Sequence, residues 1–208
     1  MHVERTPGLR EKKKAETRRQ LTSTARRLAL RDGLDAVTVE QICAEVGVSV
    51  RTFFNYFESK ERAVLGDEPP VGTAAARSEF LAGGPSGDLL TDILTLLDPS
   101  AIFAQEGREG LLLAMQLAQR EPRLLAVLLS RQVAQEQEVA ALVAARQGKD
   151  APDAGSAALA GVAQALTRSA CRAWFEAHDG LPLSHHIERA RADVADALTR
   201  HPAGPARH

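Results

Sequence analysis

Apolar residues recur three and four positions apart along almost the whole of this 208-residue chain, and alternating runs never last beyond a few residues. A period near 3.6 gives each segment one apolar stripe as a helix and scatters the same residues over both faces as a strand. The chain is therefore expected to be all-α. Aromatic residues make up only 4% of it, so the core must be built chiefly from Leu, Val and Ala, which again suits helices better than sheets. Glycine and proline clusters punctuate the pattern: Gly33, Gly47, Pro69-Pro70, Gly83-Gly84-Pro85, Pro99, Pro122, Gly148 to Pro152 and Gly180-Leu181-Pro182.

Between these breaks the spacing predicts a first helix over 10–31, with Leu21, Ala25 and Leu28 as its inner stripe and Gly33 after its end. A second starts at Thr38. Thr38 and Gln41 stand at capping-box spacing, where the hydroxyl accepts the third amide and the glutamine reaches back. Gly47 falls where that helix must stop and reverse, a turn that glycine makes most cheaply. Ser49 can cap a short third helix over 50–57, and Ser59 a fourth from Lys60. Further helices are expected over 73–82, 86–97, 102–120, 122–147, 156–178 and 184–200. The cluster Asp67-Glu68-Pro69-Pro70 marks a domain boundary. The expected organisation is a disordered arm over 1–9, a small helical domain over 10–66 and a larger helical domain over 67–208.

Charge is unevenly placed. Residues 1–31 hold ten of the 26 Lys and Arg and only three of the 27 Asp and Glu. A basic end on an otherwise acidic chain suits an anionic partner for that end, or else a solvated tail. The longest apolar runs, Leu111–Ala114 and Leu124–Leu129, fall far short of the roughly 20 residues that cross a membrane. The charged N-terminus does not read as a signal peptide, so a cytoplasmic location is expected. Cys43 and Cys171 lie in different segments and read as small buried hydrophobes. No metal or cofactor is expected. His178-Asp179 and His185-His186 are the best candidates for an enzyme site, but adjacent histidines on a helix diverge by about 100° and make a poor chelate.

The most informative stretch is TVEQICAEVGVSVRTFFNYFESKE, residues 38 to 61. It reads as helix, tight glycine turn and short helix, the plan in which the second helix enters the DNA major groove. Val50 and Phe53 can pack back on Ile42 and Leu28, leaving Arg51, Thr52, Asn55 and Tyr56 on the opposite face. Phe53, Phe54, Tyr56 and Phe57 fall within five residues of a chain that has six Phe, one Tyr and one Trp. A small three-helix module needs such bulk to bury enough surface.

These residues closely resemble the TetR family of bacterial regulators. The match lies in Ala25-Arg26-Arg27-Leu28, Gly33, Thr38-Val39, Ile42, Gly47-Val48-Ser49, Thr52-Phe53, Tyr56-Phe57 and Ser59-Lys60-Glu61. It is strong over about residues 10–65 and rests elsewhere on length and helical pattern. The resemblance implies an N-terminal helix-turn-helix domain and a C-terminal domain that dimerises and binds a small molecule. It places Ser49 and Thr52 at the groove, Tyr56 and Lys60 on phosphates, and Thr38 with its cap at the backbone. Phe54 departs from the family, which usually has Tyr there.

The candidate DNA-contacting set is thus Thr38, Ser49, Val50, Arg51, Thr52, Asn55, Tyr56 and Lys60, with Lys13 and Lys14 as a basic arm. Arginine is the commonest reader of guanine, which singles out Arg51. Met115, Gln116, Arg131, Gln132, Trp174 and Phe175 are the candidates for a pocket holding a small apolar ligand. Leu159, Leu166, Ala170, Ile187 and Val194 are the candidates for a homodimer interface, with internal core packing as the other reading of the same stripes. The expected function is that of a repressor released from a palindromic operator in double-stranded DNA by a small molecule. A ligand-independent DNA-binding protein and an enzyme using the helical cavity are the alternatives.

Overall fold

The structure is a computed structural model that describes residues 8–68, 70–177 and 179–199. Every regular element among these residues is helical. In chain order they are α1 (Leu9–Asp32), α2 (Val39–Val46), α3 (Val50–Phe54), α4 (Lys60–Leu65), α5 (Ala74–Leu81), α6 (Leu89–Leu96), α7 (Ser100–Arg120), α8 (Pro122–Arg146), α9 (Ala154–Glu176) and α10 (Leu183–Thr199). Helix ends follow local chemistry. Thr38 Oγ1 accepts the Gln41 amide at 3.2 Å while the Gln41 side chain accepts the Thr38 amide at 2.8 Å, the reciprocal box expected of that spacing. Ser59 Oγ accepts the Arg62 amide at 3.2 Å. Gly47 ends α2 in the left-handed region, φ 79° and ψ 33°.

Most of the expected arm over 1–9 lies outside the described residues, and α1 starts at Leu9. Two further helix bounds need correction. The third helix stops at Phe54 rather than 57, because the Tyr56 and Phe57 amides both turn back to the Phe53 carbonyl. Helix α7 begins at Ser100 and is broken at Gly107, whose φ of 73° and ψ of 156° lie outside helical space.

The described chain forms two compact units that do not follow sequence order. Residues 102–132 belong with the N-terminal segment up to Glu68, and 69–101 belong with 133–208. In the first unit Leu21, Ala25, Leu28, Ile42, Phe53, Phe57 and Val64 form a core that Leu117 and Leu124, from α7 and α8, complete. Phe53 is wholly buried. Burial of that ring stabilises the fold by roughly 1.5–3 kcal/mol.

Polar groups inside the first unit centre on the end of α4. The last carbonyls of a helix have no partner in the helix itself. Here Arg26, only 4% exposed, donates from Nε to the Val64 carbonyl at 2.7 Å and from Nη2 to the Leu65 carbonyl at 3.0 Å. Its Nη2 also meets Glu106 Oε2 at 2.6 Å. Arg131 donates to the Gly66 carbonyl at 3.1 Å. Glycine suits position 66, whose φ of 79° and ψ of −160° an L side chain rarely adopts.

In the second unit α9 and α10 pack along each other, and α6 packs on α9. Asp92 is fully buried. It meets Arg146 at 2.7 Å and accepts from the amide and hydroxyl of Ser86 at 2.8 and 2.6 Å. Burial alone would push this carboxyl up, but those bonds outweigh it and hold the group below the usual carboxylate range. Arg146 also donates to the Gly83 and Gly84 carbonyls and lies over the Phe80 ring. One guanidinium thereby fixes the α5–α6 turn.

Candidate nucleic-acid interface

Helix α3 is built as a short rigid projection. Ser49 Oγ accepts the Thr52 amide at 3.0 Å and lies 2.8 Å from Thr52 Oγ1, so the two hydroxyls close the first turn. Phe53 anchors the inner face, and Val50 and Tyr56 pack partly against the same core. Arg51 and Asn55 are exposed on the outer face. An isolated helix of five residues is unstable in water, so this turn is held by its cap and its aromatic anchor.

Phe54 is also outside, 54% exposed, with its ring edge-on to Phe53 at 5.5 Å between centroids. Thr38 is exposed at the start of α2 with its hydroxyl committed to the cap. Lys13 and Lys14 are exposed on the first turns of α1, inside the helix expected over 10–31.

Lys60 is placed differently from expectation. Its ammonium donates to the Leu34 and Val37 carbonyls, both at 2.8 Å. Two of its three N–H bonds therefore brace the α1–α2 loop. The positive charge of Arg26, counted above with the basic end, is likewise spent inside on α4 and Glu106. Arg18 lies over the Phe57 ring, 4.8 Å from its centroid, and pairs with Asp67.

The pocket candidates are divided between the two units. Met115, Gln116, Arg131 and Gln132 belong to the first unit, whereas Trp174 and Phe175 belong to the second. Met115 and Gln116 are exposed, and the Arg131 side chain is tied to Gly66 and faces Glu68. Trp174 donates to the Leu181 carbonyl at 3.2 Å, and its ring meets that of Phe175 edge-on. Of the interface candidates, Leu166, Ala170 and Ile187 are buried within the single chain, Leu159 is half-buried and Val194 is exposed. The first three are thus internal packing.

The buried role of Arg26, named in the sequence only within the family match, was not foreseen, and Glu106 and Gly107 were not singled out. A signal for Arg26 existed: Thr22, Arg26 and Ala29 are buried together along the flank of the Leu21, Ala25, Leu28 stripe, so the inner face of α1 is wider than its apolar residues. Cys43 and Cys171 behave as hydrophobes, burial pushing the Cys171 thiol up to about 12. Among the described residues no helix is long and apolar enough to cross a membrane. His185 and His186 are stacked edge-on, with His186 buried.

The chain matches two family models and a curated relative. Residues 21–62 match the family model described as bacterial regulatory proteins, tetR family, and residues 85–199 match the MftR C-terminal domain. The chain is 35% identical over 180 residues to the HTH-type transcriptional regulator TcmR of Streptomyces glaucescens, which covers 81% of this chain and 77% of that protein. The multidrug binding protein EbrR, solved in complex with imidazole, aligns over 90% of this chain and 92% of its own, with 21% identity and a TM-score of 0.40. With one family model over its helix-turn-helix, another over more than half its length and a curated relative along most of it, the chain belongs to the TetR family of DNA-binding transcriptional regulators.

Proposed function

We propose that the chain is a homodimeric repressor that sets α3 into the major groove of a near-palindromic operator and leaves it when a small molecule binds. The observation that carries this reading is the capped first turn of α3, with Ser49 and Thr52 closing it and Arg51 and Asn55 exposed beside them. Arg51 offers bidentate hydrogen bonds to a guanine edge, while Thr38, Tyr56, Lys13 and Lys14 supply contacts to the backbone. Val50 presents an apolar edge suited to a thymine methyl. Lys60 acts mainly as a brace that sets the level of α4 and the α1–α2 loop.

Dimerisation suits the helices with exposed apolar faces. Val162 on α9 and Val194 and Leu198 on α10 are exposed, at 45%, 42% and 80%. They and half-buried Leu159 are the candidates for a symmetric contact. Two copies of α3 would then read half-sites about 34–36 Å apart, or a multiple of that distance. A ligand releases DNA only if it binds the DNA-incompetent state more tightly.

The decisive experiment is selection of bound duplexes from a random pool with the purified protein, followed by titration of the selected site. A near-palindrome is expected. Arg51→Ala should then cost about 1–3 kcal/mol on that site and much less on unrelated DNA. Recovery of no preferred sequence, or equal losses on both duplexes, would overturn the assignment of α3 as the reading helix.

A further inference from the structure

Within the first unit a cleft of about 420 Å³ lies between α1 and the broken part of α7. Its size is within the range of small-ligand sites. It contains four arginines, Arg18, Arg19, Arg26 and Arg108, against three carboxylates, Asp67, Glu106 and Glu109. Three of the arginines are paired, Arg18 with Asp67, Arg19 with Glu16 outside the cleft and Arg26 with Glu106, so it is the unused edge of Arg26 and not net charge that favours an anion here.

The buried guanidinium at its floor is incompletely used. Arg26 has five N–H donors. Nε serves Val64, and Nη2 serves Leu65 and Glu106. Nη1 has no hydrogen-bond partner among the described residues, although the side chain is only 5% exposed. Space beside Nη1 is kept open by Gly110, where a Cβ would stand 3.2 Å from that nitrogen. Arg108, Glu109 and Gly110 open the helix that restarts after Gly107, so its positive end adds to the field in the cleft. Leu113 supplies an apolar wall.

We propose that this cleft binds a small organic carboxylate, which takes the free Nη1 edge of Arg26 while its apolar part lies against Leu113. A charge-assisted hydrogen bond to a desolvated guanidinium is a strong one. A second anion on that guanidinium also repels Glu106, loosening the contact that ties α7 to α1 and to the carbonyls of α4. The binding stands independently of the repressor reading, and only its consequence for DNA rests on it.

The test uses the full chain and 4-fluorobenzoate as the probe, followed by fluorine NMR, with 4-fluorobenzamide as its uncharged match. Gly110→Ala fills the space beside Nη1 at a helical position where alanine is favoured, so the fold is retained. Saturable binding of the carboxylate is expected, weakened by about tenfold or more in Gly110→Ala and by a similar factor for the amide. Absence of saturable binding to the unaltered protein, equal binding of the amide, or undiminished binding to Gly110→Ala with an unchanged melting curve would each overturn the proposal. Retention of DNA by the same preparations is measured separately without probe, so that failure of the regulator reading and failure of this site are told apart.

Discussion

The hydroxyl of Ser49 lies 2.8 Å from that of Thr52, and the same Ser49 oxygen accepts the Thr52 amide. One side chain therefore both starts α3 and fixes the rotamer of Thr52. Removing it separates stability from recognition. Ser49→Ala deletes the cap and should cost about 1 kcal/mol of stability. Ser49→Asp keeps an acceptor for the amide and should melt close to the parent. The aspartate also brings a negative charge to the phosphates and should weaken DNA binding more than Ser49→Ala does, most at low salt. Thermal melting with fluorescence anisotropy on a labelled operator checks this. Parent-like DNA affinity in Ser49→Asp would place residue 49 away from the duplex.

Lys60→Met tests the brace. Its ammonium holds the Leu34 and Val37 carbonyls in a half-buried setting. Methionine keeps the stem and leaves two acceptors unserved. A loss of about 1–3 kcal/mol in stability is expected, towards the lower end because water can reach the site. The dependence of DNA affinity on salt should change little, since the charge is already committed. A slope reduced by about one with unchanged stability would instead put Lys60 on a phosphate.

Phe54→Tyr tests the departure from the family pattern. Because the ring is 54% exposed, a hydroxyl added at its edge meets water and carries no burial penalty. Stability should stay within about 0.5 kcal/mol. Operator affinity should rise by about 1 kcal/mol, and by the same amount on variant sequences, because phosphate contacts position without specifying. A gain confined to one operator sequence, or no gain at all, would show that the ring edge does not face the backbone.

What the sequence made legible was local. Thr38 with Gln41, Ser49 with Thr52, Ser59 and Gly47 act within four residues of themselves, and each stands in the structure as its spacing predicted. Phe53 was identifiable as core because a short helix capped by Ser49 turns it towards Ile42 and Leu28. Long-range partnerships were not legible. Lys60 and the loop carbonyls it serves are 26 and 23 residues apart, and Arg26 meets Glu106 across 80. No periodicity encodes such pairs, and a lysine in a DNA-binding module carries the same letter whether it faces phosphate or carbonyl. The division into units was equally hidden, because α8 is one uninterrupted helix whose residues belong to one unit up to Gln132 and to the other from Val133.

The same ambiguity governs the helices proposed to carry a dimer interface. A stripe of small and large apolar residues on α9 serves an internal core or a second copy equally well on paper. The structure divides them: Leu166 is 5% exposed inside the single chain, whereas Val194 on α10 is 42% exposed. Aspartate at the two positions should therefore act differently. Leu166→Asp buries an unpaired charge and leaves a void, a combination expected to cost about 3–5 kcal/mol and to unfold much of the second unit. Val194→Asp leaves the fold of one chain within about 0.5 kcal/mol of the parent, because its charge stays hydrated there. If α10 faces a second copy, that charge is desolvated only on association, and Val194→Asp should give a folded monomer by light scattering with parent-like circular dichroism. DNA affinity should fall with it, since each half-site is then bound alone. A Val194→Asp protein that stays dimeric at the parent's concentration dependence would move the interface off this face of α10.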